Sequence, residues 1–360
     1  MMDSEDPLLH AEALIEAGRA GEAARFLRER IASGRGGLLA RLMLVRAYLA
    51  VNDVAPALEV AREAASLNPN VAQAVLALGD ALMAAGHLPA AISEFHRALR
   101  LDPDSTDARL KLGLAWLEAG EAEKALEQFG ALDREEVVGL DAHIARAETV
   151  RTQPRSDAGY VRHLFDQFSS DYDARMRGQL HYQAPEILRE LADLVMPGAA
   201  ELTALDLGCG TGLAAQAFAG VTAAVDGVDL SPAMIEKARA LGLYRALAVA
   251  DLETVLAVGG ADYDLILAAD TVVYLGDLAA LFAGAARRLK QGGYFLFTVE
   301  RSDSADFELG PKRRWRHAED YLRRRAAGSG FDIAGIVSCV PRTEANVPVD
   351  GLAVALIRAG

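Results

Sequence analysis

Cysteine is nearly absent: 360 residues contain two, Cys209 and Cys339. That count excludes a disulfide framework, neither cysteine has metal-ligand spacing, and a cytoplasmic, reducing setting is the simplest expectation. Positive charge is also short, with 37 Lys and Arg against 51 Asp and Glu and a formal net charge of −14. No long-range field draws such a chain to nucleic acid or an anionic membrane, so no nucleic-acid partner is expected. Basic residues cluster at P-K-R-R-W-R-H (311–317) and R-R-R (323–325), where Trp315 is the sole aromatic. That is too little for a base-stacking surface, and the clusters read as a solvated rim and helix face. No uncharged apolar run reaches the ~18 residues that cross a bilayer, so no membrane span is expected. The opening M-M-D-S-E-D-P is acidic and does not read as a signal peptide.

What is present divides in two, as the length leads one to expect. Residues 1–150 read as helix throughout, punctuated at a fixed interval. Asn68-Pro69 and Asp102-Pro103 lie 34 residues apart, as do Gly79 and Gly113, Gly86 and Gly120, and Phe95 and Phe129. That period, with small residues where paired helices cross, resembles the tetratricopeptide repeat. Units start near Leu38, Ala72 and Thr106, a weaker one covers about 4–37, and Val138 to Arg151 reads as a capping helix. Helix pairs with an unburied apolar face stack into a curved solenoid. The resemblance implies a concave groove for a protein or peptide partner, with Tyr48, Arg109, Lys111 and Trp116 as candidate groove residues; mere extension or dimerisation is the alternative. Residues 151–159, with Pro154 and Gly159, read as a linker, and 160–360 as the second domain.

That second domain is organised around L-D-L-G-C-G-T-G, residues 205–212. An apolar strand (Leu202–Leu207), a glycine turn and an alanine-rich helix bring bare backbone and a helix N-terminus to one point. A second strand ends in Asp229, about 20 residues past the first glycine, where a carboxylate meets a ribose diol. A third ends in Asp251. Strands that deliver turns and carboxylates to one sheet edge build a ligand crevice there. The turn is not the dinucleotide fingerprint G-x-G-x-x-G/A, because Leu213 occupies the last position and the third glycine comes one residue early.

Together with V-D-G-V-D-L-S-P-A-M, V-A-D-L, Y-D-L-I-L-A-A-D (263–270) and L-K-Q-G-G-Y-F-L-F-T (289–298), this resembles a class I S-adenosylmethionine-dependent methyltransferase over roughly 202–298. The expected fold class is therefore α plus α/β: a helical repeat solenoid followed by a Rossmann-like seven-stranded domain. The resemblance implies S-adenosyl-L-methionine as cofactor. It places Gly208, Cys209, Gly210 and Gly212 against its amino-acid end, with Asp206 anchoring the ammonium. Asp229 is expected on the ribose, Leu230 and Met234 around the adenine, and Asp251 and the Leu252 N–H on its edge. Asp270, Thr271 and Tyr274 are expected beside the methyl group.

Residues 160–200 read as lid and helices. F-D-Q-F-S-S-D-Y-D is similar to the lid of small-molecule methyltransferases of the ubiquinone-biosynthesis type, which offers Tyr172 to the cofactor. L-H-Y-Q-A-P (180–185) resembles a bacterial methyltransferase family that carries these repeats. By the same likeness His181 and Asp270 are the catalytic candidates, and Tyr182, Tyr274, His317 and Arg342 the substrate residues, with His317 a further candidate base. The N/D-P-P-Y motif of amide and amine methyltransferases is missing, A-A-D-T standing in its place. The expected function is methyl transfer to a small or carrier-bound molecule, with two alternatives. One is a protein acceptor held by the repeats; the other is a scaffold that binds cofactor without turnover.

Overall fold

A computed structural model describes residues 7–168, 172–178, 180–260, 262–310 and 313–360. Two compact units divide the chain, Met1–Thr152 and Gln153–Gly360.

The first unit is helical. Its helices are α1 (Pro7–Glu16), α2 (Ala20–Ala32), α3 (Leu38–Ala50), α4 (Val54–Leu67), α5 (Ala72–Ala84), α6 (Leu88–Leu101), α7 (Thr106–Glu118), α8 (Ala122–Gly130) and α9 (Leu140–Thr152). The 34-residue period has a steric cause. A Cβ on Gly79 would stand 2.4 Å from the Phe95 ring, and one on Gly113 the same 2.4 Å from Phe129. Each aromatic of a second helix thus fills the notch left by a glycine of the first. Ala57, Ala64, Ala91, Ala98 and Ala125 are fully buried where helices cross. Gly86 and Gly120 turn the chain between paired helices at φ 77° and 70°. Two expected groove residues are otherwise employed: Tyr48 is buried in the core formed by α1–α4, and Arg109 folds back on the Pro103 carbonyl at 2.8 Å. Lys111 is half-buried and paired with Asp80 at 2.5 Å.

The second unit opens with α10 (Ala158–Phe168), α11 (Tyr172–Gly178) and α12 (Ala184–Val195). It continues β1 (Leu202–Leu207), α13 (Leu213–Phe218), β2 (Thr222–Asp229), α14 (Pro232–Ala240), β3 (Ala246–Val249), α15 (Leu252–Ala257) and β4 (Tyr263–Ala268). A 3-10 turn (Val272–Tyr274) leads to α16 (Ala279–Arg288), β5 (Leu289–Arg301), β6 (Phe307–Leu309), β7 (Trp315–His317) and α17 (Glu319–Gly328). The chain ends with β8 (Phe331–Cys339), β9 (Thr343–Glu344), β10 (Val347–Pro348) and β11 (Gly351–Arg358). The expected seven strands lie in the order β3-β2-β1-β4-β5-β11-β8. β1 to β5 pair in parallel, and β11 runs antiparallel to both β5 and β8. β7 and β6 extend this sheet beside the end of β5, and β9 pairs with β10 as a hairpin.

One face of the sheet packs Phe282, Phe295, Phe297 and Phe331 edge to face, and the other buries Leu188 and Phe218. From β1 the chain steps outward to β2 and β3 and then crosses back to β4, on the other side of β1. The carboxyl ends of β1 and β4 are therefore the switch point at which such sheets bind ligands.

The lid motif F-D-Q-F-S-S-D-Y-D falls on α10 and α11, with residues 169–171 outside the described residues. Two expectations need correction. L-K-Q-G-G-Y-F-L-F-T, whose paired glycines suggest a helix stop before a strand from Tyr294, is strand from Leu289 onward, and the preceding helix ends at Arg288. The stretch read as a linker is tied down: Gly276 and Asp277 donate their N–H groups to the Pro154 carbonyl at 2.7 and 3.0 Å, and Ser156 donates to the Tyr274 carbonyl at 2.8 Å.

Candidate active site

β1 delivers the glycine turn to the switch point. Gly208, Gly210 and Gly212 have φ of 67°, 54° and 96°, a region costly for any residue with a Cβ. A Cβ on Gly208 would lie 2.4 Å from Thr271 Oγ1, so Gly208 lets the loop after β4 close on the turn. Gly210 differs: a Cβ there would meet only Tyr172 Oη, at 4.0 Å, so its bare backbone faces space capped by a phenol. Cys209 anchors the turn to β2, its N–H donating to the Val228 carbonyl at 2.9 Å. Burial pushes its thiol far up, so it is an inert packing group.

Asp229 closes β2 beside that turn. The Gly210 N–H donates to Oδ2 at 2.9 Å and the Ser231 N–H to Oδ1 at 2.8 Å, which fixes the carboxylate plane. Burial raises its pKa on balance, although those two amides work against the rise. Each oxygen keeps a second lone pair for a ligand hydroxyl. Ser231 caps α14 by accepting from the Met234 N–H at 3.1 Å and donates its hydroxyl to Asp166 of α10. Met234 is fully buried, and Leu230 packs among Val161, Phe165, Val273 and Tyr274. Asp206, in β1, is also buried; Tyr244 donates to its Oδ2 at 2.7 Å, yet burial pushes its pKa up to about 7. Asp251 caps α15 through Oδ1, accepting from Glu253 N–H at 2.9 Å, while Oδ2 meets Arg155 at 2.5 Å. Leu252 is half-buried at the start of that helix.

α11 is fastened over the turn. Tyr172 stands edge-on to Phe165 at 6.1 Å, and Asp173 accepts from Thr211 Oγ1 at 2.6 Å. Asp166 and Asp173 thus hold α10 and α11 to the loops after β2 and β1 through hydroxyl groups.

On the other side, Asp270 sits at φ 56°, held by its N–H donating to Thr298 Oγ1 at 2.8 Å. Its carboxylate takes Arg342 at 2.5 Å on Oδ1 and Arg314 at 3.4 Å on Oδ2. Arg342 is fully buried, and its fork also reaches Glu300 and, at 3.0 Å, Glu344. Three carboxylates therefore share the Arg342 and Arg314 guanidinium groups, and Arg316 adds a third, 3.5 Å from Glu300. All three Arg342 nitrogens bond to carboxylates and the side chain is fully buried, so the residue expected on the substrate holds this cluster together. Arg314, from the stretch read as a solvated rim, also lies over the Tyr274 ring at 5.8 Å. Tyr274 is buried and, among the described residues, its hydroxyl has no hydrogen-bond partner. Tyr182 donates to the Ala269 carbonyl at 3.2 Å. Burial raises the pKa of Tyr172, Tyr182 and Tyr274, so all three are neutral phenols.

Neither histidine joins this group. His181 is solvent-exposed at φ 45°. His317 is fully buried, stacked on Tyr321 at 6.0 Å, with Nε2 3.0 Å from the Gly276 carbonyl. Burial drives its pKa down to about 4, so it is neutral at pH 7. No trio of His, Cys, Asp or Glu among the described residues is arranged to hold a metal. Sequence reasoning missed Arg155, Tyr244 and Arg314; Asp166 and Asp173 lay inside a quoted motif but were not singled out.

These residues fit an S-adenosylmethionine molecule. Bare backbone with room at Gly210, a fixed carboxylate beside it and an orphaned buried hydroxyl at Tyr274 are features that a bound group would use.

Both units of the chain are similar to known proteins. The methyltransferase-domain family model matches residues 205–297, and a tetratricopeptide-repeat model matches 42–95 and 76–135. A ubiquinone biosynthesis O-methyltransferase of Thiobacillus denitrificans is 34 % identical over 110 residues, 29 % of this chain and 47 % of its own length. An aklanonic acid methyltransferase of a Streptomyces species is 34 % identical over 146 residues, 38 % of this chain and 64 % of that one. The chain thus spans less than two thirds of these relatives. A crystal structure of magnesium protoporphyrin IX methyltransferase from Synechocystis with bound cofactor is 20 % identical, covers 57 % of this chain and 98 % of the other, and has a TM-score of 0.44. Among the described residues no helix is long and apolar enough to cross a membrane.

Proposed function

From a chain that joins tetratricopeptide repeats to a class I, S-adenosylmethionine-dependent methyltransferase domain, we propose an enzyme that methylates an acidic oxygen on a small or carrier-bound molecule. The observation that carries methyl transfer is the union of Gly210 and Asp229. One amide joins the bare turn to the carboxylate that would take the ribose.

When bound, S-adenosylmethionine supplies a methyl group already made electrophilic by its sulfonium. The chain's residues then have to bind, align and exclude water. The backbone of 208–212 receives the amino-acid end, with Asp206 on the ammonium and Asp229 on the ribose. Leu230, Met234, Asp251 and Leu252 serve the adenine. Tyr172 and the lid helices keep water out.

A general base is required only for an acceptor that arrives protonated. Both Asp270 oxygens are already ion-paired, and neither His181 nor His317 is brought against Asp270. That favours an acceptor which ionises readily, such as a phenol or enol. Tyr274 and Arg314 offer it a hydrogen-bond donor and a cation, and Asp270 orients Arg314. The relatives' names, a ubiquinone-biosynthesis O-methyltransferase and an aklanonic acid methyltransferase, support the same class.

The repeat unit, residues 1–150, would recruit a protein that carries or delivers the acceptor. Incubating the protein with methyl-labelled cofactor in a cell lysate tests the reading. Extractable labelled metabolite supports it, and labelled protein bands would transfer the acceptor role to a protein. Tight cofactor binding with no label anywhere would leave a scaffold.

A further inference from the structure

Arg155 lies three residues past the end of the repeat unit, in the stretch that composition marks as a linker. Its guanidinium bridges two carboxylates nearly a hundred residues later: Asp251 Oδ2 at 2.5 Å and Glu253. All three side chains are about one-fifth to one-quarter exposed, so the bridge is partly shielded from water and salt.

Its backbone is held independently. Pro154 accepts from Gly276 and Asp277, Ser156 donates to Tyr274, and Arg155 bridges Leu275 in antiparallel fashion. Gly276 permits this contact, since a Cβ there would stand 2.7 Å from the Pro154 carbonyl oxygen. The chain therefore aims Arg155 from a fixed base, and the planar fork suits two carboxylates at once.

Asp251 is consequently held on both sides, by the α15 amides on Oδ1 and by Arg155 on Oδ2. We propose that Arg155 is a positioning residue for the adenine end of the cofactor: it orients the Asp251 carboxylate and offsets the charge of Glu253 beside it. This rests on the reading that Asp251 faces the adenine amino group. A fixed acceptor discriminates by geometry. It takes the amino group of adenine and rejects the oxo group of hypoxanthine, which brings a second acceptor. Without Arg155 the carboxylate turns more freely, and Asp251 and Glu253 repel.

The test is calorimetric binding of S-adenosylhomocysteine and its deaminated analogue S-inosylhomocysteine to the full chain. Arg155→Ala is expected to weaken the adenosyl ligand roughly tenfold, the worth of one charge-assisted hydrogen bond. The inosyl ligand is expected to change little, so the ratio between the two collapses. A purely structural arginine would weaken both ligands alike, and an unchanged ratio overturns the proposal. Arg155→Lys keeps the charge but reaches a single carboxylate; a partial fall in the ratio supports the proposal, and no fall overturns it even if the alanine variant does not fold. Asp251→Ser, which retains a helix cap, separates the two claims. If it leaves the ratio intact, the placement of Asp251 on adenine has failed; if it collapses the ratio while both Arg155 variants do not, only the role of Arg155 has failed.

Discussion

Tyr244 donates its phenolic proton to Asp206 at 2.7 Å, beneath the glycine turn, where the carboxyl is almost wholly closed off from water. Burial outweighs that hydrogen bond and leaves the Asp206 pKa at about 7. A carboxyl whose folded pKa is raised adds its stability fully below the unfolded value, near 4, and loses it as pH climbs through 7. Asp206→Asn is therefore expected to gain on the parent protein from pH 5 to pH 7 and level off by pH 8, by at most about 3 kcal/mol over that range. Tyr244→Phe removes a bond that holds the pKa down, so the parent's loss should move to higher pH. Thermal melts across pH 5 to 8.5 check both, and parallel melting curves for Asp206→Asn and parent would refute the claim.

His317 titrates in the opposite sense. Its folded pKa, about 4, lies below the ordinary value, so the unfolded chain takes up a proton first as pH falls. Stability should drop between pH 6.5 and 4. Replacing His317 with Gln should flatten that part of the profile in urea titrations, whatever it does to absolute stability.

The notch beneath Phe95 sets a contest between two known effects. Gly79→Ala should gain up to about 1 kcal/mol of helix propensity. Overpacking against a ring 2.4 Å away costs about 1–3 kcal/mol. The clash should win, lowering the urea midpoint, and Phe95→Leu in the same chain should recover part of the loss. Gly113→Ala should behave alike against Phe129.

Arg342 balances Asp270, Glu300 and Glu344 with no exposure of its own. Arg342→Met leaves these carboxylates with Arg314 and Arg316 as their remaining cations, a loss of about 3–5 kcal/mol. Adding Glu300→Gln should return some of that stability. A double-mutant cycle by chemical denaturation measures the coupling, and additivity would mean that the cluster does not act as one unit.

What the sequence disclosed was local. The β1 strand, the glycine turn, Asp229 and the 34-residue interval each follow from spacing that a short window displays. The second type of information was not local. Arg155 meets carboxylates 96 and 98 residues away, and Arg342 meets Asp270 72 residues earlier. No periodicity announces which arginine of an ordinary basic run will find a buried acid, so Arg314 read as surface. Gly292-Gly293 misled differently. Paired glycines commonly stop a helix, but these lie within β5, and a Cβ on Gly293 would meet the Asp264 carbonyl at 3.1 Å. The glycine serves the close pairing of β5 with β4, at the point where their register shifts.

The account stands on Asp229 and the amide of Gly210 as the grip on the cofactor. Calorimetric titration of S-adenosylmethionine into the parent protein and Asp229→Ala tests this most directly, with circular dichroism confirming the fold. The expected result is measurable binding by the parent and a loss of at least about tenfold in the variant, as for removal of a charged hydrogen-bond partner. Equal affinity in a folded variant would contradict it.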